Sequence, residues 1–122
     1  MVIVNWAKQQ IGLTLAGSLT SNNYPTYFMI GSGSGTALVT QTTLIQPTDR
    51  QAVTSINGST IYKVKWTGDW NSAEISGLSF KEFGIIISGA TTTGSIWSRT
   101  GLPAITFDGT NELRIEENWE VF

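Results

Sequence analysis

A two-residue alternation of apolar and polar side chains, interrupted at short intervals by turn-forming dipeptides, constrains this chain more than any other feature. Thr60 to Thr67 carries it most clearly: Ile61, Lys63 and Lys65 point one way, and Tyr62, Val64 and Trp66 the other. That is the pattern of a half-buried strand. Asn57-Gly58 just before it is the strongest hairpin signal in the chain, so a strand over Thr48 to Ile56 is expected to fold back onto it. Leu113, Ile115, Trp119 and Val121 alternate in the same way after a second tight-turn dipeptide, Asp108-Gly109.

Further short strands are expected at Tyr27–Ile30, at Ile96–Thr100 and between Ala104 and Phe107. The most apolar run, Leu78 to Ser88, contains Phe80, Phe83, Ile85, Ile86 and Ile87 and reads as a central strand. Between these lie Gly31 to Gly35, read as a flexible loop or tight turn, an aperiodic stretch from Thr36 to Gln46, a polar link from Asp69 to Gly77 and a Thr-rich turn from Ala90 to Gly94. Only the beginning of the chain has a helical period. Asn5 is a fitting N-cap, Ala7, Ile11 and Leu15 share one face, and Gly17 is placed to end the helix. The expectation is an all-β antiparallel β-sandwich or jelly-roll-like barrel. It forms a single domain over residues 1–122, with a helix over residues 5–17 and the sandwich over 18–122.

Composition bears on function by exclusion. Charged residues make up 13% of the chain, about half the usual share, so its polar surface is largely neutral, and repulsion between copies is weak. The formal charge of −2 comes with no run of Lys or Arg, so neither nucleic acid nor an anionic membrane surface is an expected partner. Cysteine is absent, which excludes disulfide and zinc-thiolate chemistry. Histidine is absent too, removing the usual general base and metal ligand. No secretory leader or membrane span is apparent in the sequence, and synthesis in the cytoplasm is expected.

What remains for catalysis is carboxylate chemistry of the glycosidase kind, with Asp69 and Glu74, or Glu82 alone, as candidates. Surface carboxylates near Lys63, Lys65 and Lys81 account for these residues without catalysis. Gly31 to Gly35 lacks the Lys-Ser or Lys-Thr of a phosphate loop, and Asp108 to Glu112 lacks the full ligand set of a calcium loop, so a plain turn is the stronger reading of each. No catalytic residue, cofactor or metal is assigned. Five tryptophans in so short a chain raise a different possibility, because exposed indoles stack on sugar rings and also anchor protein interfaces. Trp66 and Trp119 share faces with Val and Ile and read as core. Trp70 and Trp97 fall outside the clearest apolar faces and, with Tyr24, are the candidate contacts to a protein partner or a glycan.

The order of several segments resembles small structural proteins of tailed bacteriophages, of the tail-fibre, baseplate, head-appendage or decoration type. The matching segments are Leu-Thr-Leu-Ala-Gly at 13–17, the stretch from Pro25 through Gly35 followed by Thr36-Ala-Leu38, and Lys63 to Trp66. They continue with Gly77 to Ile85, Ile96-Trp-Ser-Arg99 and Glu112 to Trp119. The resemblance implies a non-enzymatic virion component, made in the host cytoplasm, that assembles with copies of itself and with capsid or tail proteins. A carbohydrate-binding β-sandwich used for host or polysaccharide attachment is the alternative.

Overall fold

The computed structural model describes residues 1–15, 25–60, 63–87 and 96–120. Along the chain it contains β1 (Val2–Ile3), α1 (Asn5–Leu15), β2 (Tyr27–Gly31), β3 (Pro47–Ala52), β4 (Ser55–Thr60), β5 (Lys63–Trp70), β6 (Ser79–Ile86), β7 (Ser98–Thr106) and β8 (Leu113–Glu120). The strands form a five-stranded sheet in the order β1-β7-β6-β2-β3 and a three-stranded sheet in the order β4-β5-β8, with every pairing antiparallel. The fold is a sandwich of two sheets and not a closed barrel. β6, expected to be central from its apolar run, is the middle strand of the larger sheet.

Period-two alternation explains how the smaller sheet covers the larger. On β8, Ile115, Glu117 and Trp119 are buried while Arg114, Glu116, Asn118 and Glu120 are exposed. Its neighbour β5 pairs Val64 with Trp119, Trp66 with Glu117 and Trp70 with Leu113, so the even-numbered side chains of β5 join the same inward face. Gly68 is also on that face, directly over Phe28 of β2, where any Cβ would run into the phenyl ring. The missing side chain lets the two sheets approach. Trp70 then meets Phe28 edge-on at 6.5 Å, and Ile30, Ile85 and Ile75 complete the surrounding core. Each such fully buried side chain contributes about 1.5–3 kcal/mol.

Several sequence expectations change in the structure. The segment from Thr48 to Ile56 is not one strand: β3 belongs to the larger sheet and β4 to the smaller, and the chain crosses between them at Val53-Thr54. The Val53 amide donates to the Thr26 carbonyl at 2.9 Å, and the Thr54 amide to that of Thr67 at 2.7 Å, so each residue of the corner bonds to a different sheet. Asn57-Gly58 does not form the turn. Gly58 lies inside β4 at a register shift between Asn57 and Thr60, and it lacks the positive φ that a tight hairpin turn requires. Asp69 and Trp70 belong to β5 rather than to a polar link, because Trp70 continues the inward parity of Val64 and Trp66.

The segments around Ile96–Thr100 and Ala104–Phe107 merge into the single strand β7. Asp108-Gly109 does turn the chain, with Gly109 at φ 92°, but the turn carries it from one sheet to the other and so joins no hairpin. At the front of the molecule, α1 starts at Asn5 as expected and buries Ala7, with Ile11 half-buried. Gly17, Tyr24, Ile61, Tyr62, Val121 and the Thr-rich turn at 90–94 lie outside the described residues.

Candidate functional site

Tryptophan, the residue type singled out for recognition, forms the spine of the core. Trp6 of α1 meets Trp97 edge-on at 5.9 Å, Trp97 lies 5.7 Å from Trp119, and Trp119 meets Trp66 edge-on at 5.5 Å. Trp97 is 8% exposed and Trp70 is 1% exposed. The Trp70 indole N–H donates to Asp49 on β3 at 3.0 Å, which ties the smaller sheet to an edge of the larger one. Neither indole presents a face to a sugar ring in the isolated chain, which corrects their placement outside the apolar faces. Strand parity was the available signal for Trp70: it stands two residues beyond Gly68 and four beyond Trp66 on one extended strand.

The polar residues that organise the molecule are ones the pattern hid. Glu82 of β6 and Arg99 of β7 form an ion pair, with Arg99 Nε donating to Glu82 Oε2 at 2.7 Å and both side chains fully buried. The Glu82 carboxylate also accepts three backbone N–H bonds from the loop between β2 and β3: Gly33 at 3.1 Å, Ile45 at 3.0 Å and Gln46 at 2.7 Å. Arg99 Nη1 donates to the Gly35 carbonyl at 3.0 Å. The glycine-serine stretch is therefore clamped at both ends and is not a free loop. Gly33 is required there, since a Cβ would lie 2.5 Å from Glu82 Oε1. One sequence signal pointed here: Glu82 is the only acid within the most apolar run of the chain, and burial there demands a cationic partner.

Glu117 is the second buried acid. It occupies a core position on the inward face of β8, where it accepts the Ser98 hydroxyl at 2.5 Å and the Trp119 indole N–H at 3.0 Å, both at Oε1. Oε2 is buried with no partner among the described residues, and so is Trp97 Nε1. Removal from water pushes the Glu117 carboxyl above its ordinary range, and the two donated hydrogen bonds only partly oppose this.

The other candidate carboxylates each serve a local contact. Asp69 pairs with Arg114 at 2.7 Å and accepts the Thr54 hydroxyl at 2.9 Å, and these bonds hold it below the usual carboxylate range. Glu74 accepts the Asn71 amide at 2.8 Å and closes its own turn. Asp108 accepts both the amide and the hydroxyl of Thr110, which makes the Asp108-Gly109 turn. Among the described residues, no group of three or more His, Cys, Asp or Glu side chains is placed to hold a metal ion.

The accessible features are strand edges and grooves. Among the described residues, β3, β4 and β8 each pair on one side only, and β1 covers β7 only at Ser98 and Arg99, leaving the rest of that edge open. Ile56 on β4 and Ile105 on β7 are 45% and 46% exposed on these edges, and Leu38, Val39 and Ile45 are exposed on the clamped loop. Comparison with protein-family models, with curated proteins and with solved structures gives no match.

Proposed function

We propose that this chain is a non-enzymatic structural protein that works by assembly, joining copies of itself and other proteins of a bacteriophage virion. Within the particle it would be a tail, neck or fibre-attachment component or a capsid decoration protein. The observation that carries the assembly reading is the coincidence of open strand edges with exposed apolar side chains, Ile56 on β4 and Ile105 on β7. An edge strand offers a row of unpaired N–H and C=O groups, and proteins that stay apart usually blunt such edges with charge, proline or a covering element. β4 carries neither charge nor proline, and β7 carries Pro103 but no charge beyond Arg99. The virion setting rests on the resemblance of the segments at 13–17, 25–38, 63–66, 77–85, 96–99 and 112–119.

The clamped loop supports the same reading, because it holds Leu38, Val39 and Ile45 at the surface on a fixed backbone. A fixed contact surface binds with less ordering cost than a mobile one. The molar mass in solution, from light scattering coupled to size exclusion, tests the proposal. A discrete trimer, pentamer or hexamer supports it. A chain that stays monomeric and also fails to associate with phage particles overturns it.

A further inference from the structure

An open groove of about 600 Å³ runs between the clamped loop and the uncovered part of β7, lined by Ser34, Thr36, Lys81, Arg99, Leu102 and Pro103 among others. Among the described residues, two basic side chains line it and no acid does. Lys81 is half-buried and has no ion-pair partner among the described residues. Arg99 is fully buried. Its Nε is taken by Glu82 and its Nη1 by the Gly35 carbonyl, while Nη2 has no acceptor among the described residues. A buried donor on a charged group left without an acceptor is costly, so an acceptor supplied from the groove would be favoured.

We infer that this groove binds a carboxylate carried on an extended segment of a partner protein chain. The inference rests on the assembly reading above and names the partner's chemistry at one site. Three features converge on that ligand. Lys81, whose charge is unpaired among the described residues, calls for an anion, and the remaining Arg99 donor matches a carboxylate oxygen in geometry. Among the described residues, β7 from Gly101 onward pairs with β6 alone, so an extended segment can add to its open edge by backbone hydrogen bonds, except at Pro103, which has no N–H to donate. Leu102 and Pro103 form an apolar lip for the side chains that flank the acid. Gly101 borders the passage, where a Cβ would lie 3.7 Å from the Gly35 carbonyl oxygen, at ordinary contact distance.

The test is a titration of the ¹⁵N-labelled full chain with an acetylated, amidated pentapeptide carrying one central glutamate, and with the same peptide carrying glutamine. Saturable shifts at the Gly35, Thr36 and Gly101 amides are expected with the first peptide. Affinity should fall roughly tenfold for the glutamine peptide, and likewise for the Lys81→Glu chain. Lys81 is the residue to change, because Arg99 variants disturb the buried pair and with it the fold. Absence of saturable shifts, or equal binding of both peptides, overturns the inference. A chain that assembles in solution but fails this titration keeps the assembly reading and loses the groove. A monomer that fails to associate with phage particles but passes this titration does the reverse.

Discussion

Glu82 and Arg99 meet at 2.7 Å with no exposed atoms, on neighbouring strands, and the carboxylate holds the loop from Gly33 to Gln46 against the sheet through three backbone amides. The pair is a fastening for the loop as much as a link between strands. A buried ion pair contributes little net stability by itself, but losing one partner leaves the other charge stranded.

Glu82→Gln is therefore expected to destabilise the chain by about 3–5 kcal/mol. Replacing both residues by apolar ones should not restore stability, because the amides of Gly33, Ile45 and Gln46 then lose their acceptor. Urea unfolding of both variants, with hydrogen exchange read at those amides, measures this. Near wild-type stability in the double variant would mean that the loop does not depend on the carboxylate.

Glu117→Gln is expected to flatten the dependence of stability on pH. Burial raises the folded-state pKa of Glu117 above its unfolded value, so the folded chain binds more protons between the two values. Stability from this residue is greatest below the unfolded pKa and falls as pH rises through the folded one. Glutamine keeps acceptance from Ser98 and Trp119 without a charge, so the variant should match or exceed the wild type at neutral pH. Asp69 runs the other way, since its lowered pKa gives stability above its unfolded value that is lost in acid. Chemical denaturation at a series of pH values separates the two, and an unchanged slope in Glu117→Gln would count against the raised pKa.

Gly68→Ala should destabilise by about 1–3 kcal/mol or more, because the new methyl enters the Phe28 ring where the two sheets meet. The companion change Phe28→Leu should recover part of the loss in the double variant. Thermal melts of the two single variants and the double one give the coupling, and strictly additive losses would show that the two sites do not touch.

Gly109→Ala should cost about 1 kcal/mol from backbone strain, since Gly109 sits at φ 92°. Gly58→Ala, at a position without positive φ and where a Cβ would come no nearer than 4.0 Å to the Lys63 carbonyl oxygen, should cost less despite the hairpin-like dipeptide. Melting temperatures of the two variants compare them directly. A larger loss at Gly58 would place the strained turn where the dipeptide suggested it.

The sequence by itself determined the class of the fold, the early helix and the inward face of individual strands. Those follow from local periodicity: Val64 and Trp66 on β5, and Ile115 and Trp119 on β8, are a fixed two residues apart along an extended backbone. The parity also reached Trp70 and Glu117, but it was masked where a polar residue broke the apolar pattern. Only the tertiary structure decided which strands share a sheet and that the chain changes sheets at Val53-Thr54. It likewise decided that Glu82 meets Arg99 rather than solvent. These are contacts between residues distant in sequence, 17 positions apart for the ion pair and 36 to 49 for the loop amides on Glu82. Local pattern tells a side chain which face to occupy but not what awaits it there; the partner is set when the two sheets close and water leaves the space between them.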